Sequence, residues 1–110
     1  MRTHWDIIII GAGPAGMAAA CEAISLGASV LVLDRKREPG GQIFCAAGRA
    51  SEEKRNFLGA EYTRGHELVQ RFLQAGPTFL SGAEVWHLKP GVVYASHEGR
   101  SLYLTAGQIL

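Results

Sequence analysis

The sequence predicts an α/β fold in which a parallel βαβ unit is followed by a three-stranded antiparallel meander. Three observations carry that prediction. The run Ile7 to Ile10 is continuous and β-branched, as expected for a central parallel strand buried on both faces. Bare backbone follows at once, Gly11-Ala12-Gly13-Pro14-Ala15-Gly16, and then an alanine-rich stretch with helical character. Beyond Gly76-Pro77, short alternating segments are separated by turn residues at regular spacing.

Taken in order, the first strand is Ile7 to Ile10 and the helix runs from Met17 to Leu26. Gly27 stops that helix, and Pro14 fits its first turn, where a missing N–H costs little. Val30 to Leu33 is a second buried strand ending at Asp34. Residues 46–62 are polar and weakly patterned and read as a loop, with one short helix from Ser51. Leu68, Val69, Phe72 and Leu73 share one face, so Gly65 to Ala75 is an amphipathic helix. Phe79-Leu80 is a short strand. Ala83 to Leu88, Val92 to His97 and Ser101 to Thr105 form the meander, with turns at Lys89-Pro90-Gly91 and Glu98-Gly99. "AGQIL" at 106–110 reads as the start of a further parallel strand.

The glycines have distinct physical roles. Gly11 turns the chain sharply off the first strand. Gly13 lacks a Cβ, so a pyrophosphate can approach the backbone. Gly16 lets the helix lie close against the sheet. The helix N-terminus then faces the phosphates with free N–H groups and the positive end of its dipole. Asp34 stands about twenty residues beyond, where an acceptor can hold both hydroxyls of an adenosine ribose. A lone GxGxxG is weak, but here strand, turn, helix, strand and terminal acid all stand at the right spacing. Together they identify a Rossmann-like dinucleotide site. Asp34 disfavours a 2′-phosphate, although Arg35 beside it argues the other way. Spacing does not separate FAD from NAD.

Composition narrows the alternatives. A net charge of +1 argues neither for nor against a charged partner, but the lysines and arginines form no clustered basic face, which speaks against nucleic acid. Cys21 and Cys45 lie far apart in no metal or redox spacing, which suits a reducing cytoplasm. His66, His87 and His97 have no ligand-like neighbours in the sequence, so no metal site is expected. Arg2, the apolar run and Ala18-Ala19-Ala20-Cys21 loosely imitate a lipoprotein leader. Asp6 before the run and the glycines within it argue against an export signal, and Ile7 to Cys21 is too short to span a bilayer. Cys21 reads as a small core residue and Trp86 as packing.

"GAGPAGMAAA", "VLVLDR" and "EPGGQIF" together resemble the N-terminus of the two-dinucleotide-binding-domain flavoproteins. These include thioredoxin reductase-like enzymes and the FAD subunits of opine oxidases, hydrogen cyanide synthase and hydroxyproline dehydrogenases. "GAEYTRGHELVQRFLQAGPTFLSGAEVWHL" looks most like the branch that oxidises amino acids and opines. The resemblance implies a Rossmann-like FAD-binding domain over residues 1–110, with the meander as its crossover and incomplete at the C-terminus. It implies an N-terminal fragment of a several-fold longer flavoprotein, acting on a small-molecule substrate and partnered by other subunits of a hetero-oligomeric dehydrogenase. It places Gly11, Gly13, Pro14, Ala15 and Gly16 at the FAD pyrophosphate. It further places Gly41 and Gln42 along the ribityl and flavin region, and the Val85 backbone at the adenine edge. Arg35 lies against the adenine or is solvated. Three functions fit this pattern. They are an FAD-dependent dehydrogenase or oxidase of amino acids, imino acids or opines, an NAD(P)H-dependent flavin reductase, and a dinucleotide-binding module without catalysis. The reductases' CxxC has no counterpart in the sequence, and no catalytic residue is assigned.

Overall fold

The computed structural model describes residues 2–37 and 60–110, with side chains described from 64 onward in the second segment. The elements in chain order are β1 (His4–Ile10), α1 (Pro14–Ser25), β2 (Val30–Asp34), α2 (Ala60–Ala75), β3 (Thr78–Ser81), β4 (Ala83–Lys89), β5 (Val92–His97) and β6 (Arg100–Ile109). The strands form one six-stranded sheet in the order β3-β2-β1-β6-β5-β4. β3, β2, β1 and β6 pair in parallel, and β6, β5 and β4 pair antiparallel.

Both faces of the parallel part are covered, which is why β1 and β2 read as continuous apolar runs. On one face, Ile9, Val30 and Val32 meet Met17, Ala20 and Ala23 of α1 and Val69 and Phe72 of α2. Phe72 also sets its ring edge-on to Phe79, with centroids 5.8 Å apart. On the other face, Ile8, Leu31 and Leu33 pack against Val93, Ala95 and Leu104 of the meander. Ile8, Leu31 and Leu104 have no exposed surface, and burying each such side chain contributes about 2 kcal/mol. The α/β class and the meander are therefore as the sequence indicated.

Several boundaries differ from the sequence reading, beginning with β1, which starts at His4 and not at Ile7. The first helix begins at Pro14, not Met17, because proline at the first helical position needs no acceptor. The second helix begins at Ala60, taking in residues read as loop. The segments read as 101–105 and 106–110 belong to one strand, β6, which ends at Ile109. Its first part pairs with β5 (Val93↔Leu104) and its second with β1 (Ile8↔Ile109), so the partner changes while the strand continues. The expected short helix from Ser51 lies outside the described residues. Both meander turns are as expected, with Glu98 and Gly99 at φ 51° and 77°, suited to a tight hairpin.

At the N-terminal end of the β1–β2 pair, Asp6 and Ser29 bond reciprocally. The Ser29 N–H donates to Asp6 Oδ2 and the Asp6 N–H to Ser29 Oγ, both at 2.8 Å. The Ser29 backbone bond, followed by its hydroxyl, holds the Asp6 carboxyl below its ordinary value, with Arg2 and His4 adding to the effect. Among the described residues no helix is long and apolar enough to cross a membrane.

Candidate nucleotide site

The site lies at the other end, beyond the carboxyl ends of β1 and β2, where open α/β sheets bind ligands. β1 stops at Ile10, and Gly11 turns the chain with φ 101°, a conformation that favours glycine. Its N–H donates to the Leu33 carbonyl at 2.7 Å, tying the turn to β2. α1 then starts over Gly13, whose carbonyl accepts from the Met17 N–H at 2.9 Å. Gly16 is demanded by close approach. A Cβ there would overlap the Gly11 carbonyl oxygen and stand 3.3 Å from Ile9 Cγ2.

Gly13 is different. Its φ of −76° is open to any residue, and the space its Cβ would enter is empty. Nothing among the described residues requires glycine there. A bound group that must touch the backbone would require it. The N–H groups of Gly13, Ala15 and Gly16 find no acceptor among the described residues. The helix has no side-chain cap and no acidic residue in its first turn, so none of its own side chains offsets the positive end of its dipole. An anion of pyrophosphate type fits this donor set.

Asp34 is partly buried at the end of β2. Its Oδ2 accepts from the Ala12 N–H at 2.6 Å and its Oδ1 from the Lys36 N–H at 2.8 Å. Beside it opens a cavity of about 560 Å³ lined by Ile10, Gly11, Leu33, Asp34, Arg35, Lys36, Ala83 and Val85. Of the residues marked in the sequence, Gly11, Asp34, Arg35 and Val85 thus meet around one cavity. Gly13, Pro14 and Ala15 stand at the adjoining helix end and do not line it. Gly41, Gln42 and Cys45 lie outside the described residues. Cys21 is half-buried and packs against the helical core, in keeping with a core role. Trp86 is 56% exposed on the meander, 5.3 Å between ring centroids from Tyr94.

Sequence reasoning missed Lys36 and Ala83 at the cavity and the engagement of both Asp34 oxygens. One signal was available, because an aspartate at a strand end commonly accepts from the N–H two residues on. The mouth combines one carboxylate with the cations Arg35 and Lys36. That combination suits a polar, partly anionic ligand.

Comparison with known proteins adds to this. The model of the family described as FAD dependent oxidoreductase matches residues 6–98. An opine oxidase subunit from Agrobacterium tumefaciens (strain Ach5) is 46% identical over 89 residues, which are 81% of this chain and 18% of that protein. The alpha subunit of sarcosine oxidase from Corynebacterium sp. (strain U-96) is 32% identical over 98% of this chain and 10% of its own length. The chain spans under a quarter of the length of the opine oxidase subunits it matches. L-proline dehydrogenase from P. horikoshii superposes over 98% of this chain and 22% of that one, with a TM-score of 0.72 at 21% identity, a likeness of fold.

Proposed function

This chain belongs to the FAD dependent oxidoreductase family, and on that premise we propose that its glycine turn, Asp34 and the adjoining cavity hold the adenosine diphosphate half of FAD. The observation that carries the reading is Gly13, a glycine that the chain's own conformation does not need, beside N–H groups without acceptors among the described residues. In this reading Gly13, Ala15 and Gly16 donate to the pyrophosphate. Pro14 fixes the first helical turn without adding a donor, and Gly11 sets the turn. The outer lone pairs of Asp34 accept from the ribose hydroxyls. A carboxylate offers about four acceptor sites, and two are taken by Ala12 and Lys36. Arg35 and the main chain of Val85 flank the adenine in the cavity. Gly41 and Gln42 continue the site toward the ribityl chain and flavin.

The whole protein, in the same proposal, oxidises an amino acid, imino acid or opine and works as one subunit of a hetero-oligomeric dehydrogenase in the cytoplasm. The names of its relatives, which are subunits of opine oxidase and sarcosine oxidase, support the reaction class and the subunit assembly. FAD, when bound, supplies a hydride acceptor. The glycine turn, Asp34 and the cavity walls anchor and orient it. The test is to denature the purified protein and separate the released chromophore by chromatography. FAD is the expected product, and recovery of a nicotinamide dinucleotide alone would overturn the proposal.

A further inference from the structure

The two oxygens of Asp34 reach further than a ribose. Oδ2 holds the Ala12 N–H in the β1–α1 turn, and Oδ1 holds the Lys36 N–H in the chain leaving β2. The Lys36 carbonyl in turn accepts from the Gly82 N–H at 3.4 Å, immediately before Ala83 and Val85 of β4. The glycine turn, the end of β2 and the start of β4 are the three walls of the cavity, and this one carboxylate links them. Gly11 and Ala12 both give their N–H groups to the end of β2, one to the Leu33 carbonyl and one to Asp34. The amides left for a ligand are therefore those of Gly13, Ala15 and Gly16.

We propose that Asp34 is a positioning residue that sets the glycine turn and the cavity walls before any nucleotide arrives, in addition to any contact with ribose. The inference deepens the FAD reading and rests on it for the identity of the ligand, though not for the latch itself. A carboxylate is an acceptor only and satisfies both N–H groups. Asparagine has one oxygen and must turn its own NH₂ toward the other N–H. Asp34→Asn therefore breaks the latch with almost no change of shape.

The test uses ADP and 2′,3′-dideoxy-ADP, which carries the pyrophosphate but no ribose hydroxyls. If Asp34 served the ribose alone, Asp34→Asn would leave dideoxy-ADP binding unchanged. Removing a negative charge near phosphates would even strengthen it. The latch gives the opposite sign, a fall of about tenfold for both probes. A loss confined to ADP overturns it.

Amide hydrogen exchange without nucleotide separates failure of the latch from failure of the FAD reading. Ala12 and Lys36 should exchange at least about tenfold faster in Asp34→Asn, while Ala20 and Ala23 inside α1 stay unchanged. Unchanged exchange at Ala12 overturns the latch. If neither probe binds the unaltered chain, the nucleotide reading fails and exchange still decides. If Asp34→Asn does not fold, the unaltered chain decides. Without nucleotide, its Ala12 amide, held by Asp34, should exchange at least about tenfold more slowly than an amide of an exposed unstructured chain, and an unprotected Ala12 amide overturns the proposal.

Discussion

The two ends of the β1–β2 pair are each tied by an aspartate, and they behave differently. At the N-terminal end, Asp6 and Ser29 exchange bonds at 2.8 Å and satisfy one another. At the C-terminal end, Asp34 binds two backbone N–H groups, yet the amides of Gly13, Ala15 and Gly16 beside it have no partner among the described residues and the space at Gly13 stays empty. Both ends use the same chemistry. The first closes on itself, while the second uses its carboxylate to shape a turn that leaves donors free. Unpaired backbone donors at a helix end call for a further partner, so under the proposed function this difference separates a structural end from a binding end.

The comparison breaks most severely at Gly16. A single methyl there would overlap the Gly11 carbonyl oxygen, which is backbone and has no easy way to give. Gly16→Ala should cost about 3 kcal/mol of stability, seen as a lower midpoint in denaturant unfolding, and should weaken FAD binding with it. Gly13→Val sharpens the contrast, since Gly13 has ordinary φ and open surroundings. Its thermal unfolding should be nearly unchanged while FAD affinity, read by flavin fluorescence, falls at least about a hundredfold. An unfolded Gly13→Val protein would show that the turn, and not a ligand, demands the glycine.

Asp34→Ala comes next. Loss of hydrogen bonds to a charged group should weaken FAD binding by about 1.5–3 kcal/mol in a titration of apo-protein. The smallest effect belongs to Asp6→Ala, which should lower the unfolding temperature and leave FAD affinity unchanged. Its pH dependence has a definite sign. The folded-state value of Asp6 lies below the ordinary 3.8, so its contribution is present in full above that value. It is lost as pH falls through the lowered one. The gap in melting temperature between the two proteins should be flat above about pH 5 and close in acid.

How much of this was legible in the sequence depended on where the information sits. The β1-turn-α1-β2 unit was readable because glycine spacing and unbroken apolar runs are local signals. Asp34 was readable for the same reason. The continuity of β6 was not read, because the boundary was placed where the pairing partner changes. Yet Leu102, Leu104 and Ala106 keep a period of two straight across it, and the latter two are buried in the same core. The place of Lys36 in the site rests on its backbone N–H, not its side chain, so only the tendency of a strand-end aspartate to accept from the N–H two residues on could have marked it. Ala83 and Val85 reach the cavity only through tertiary folding of the meander over β2, which no short window of sequence displays.

The unbroken β6 has a kinetic consequence. His4 pairs with Thr105, 101 residues further along, so the central seam of the sheet closes only when two segments far apart in sequence meet. Contacts of such long range form slowly, because chain entropy is lost before the new contacts can offset it. The same strand fixes the register of β5, and through it that of β4, so a slip of one residue would invert every side chain of the meander. Val85 would then leave the cavity. The glycine turn can assemble early from neighbours in sequence, whereas the cavity wall of Ala83 and Val85 is completed last, when the seam at β1 and β6 has zipped shut.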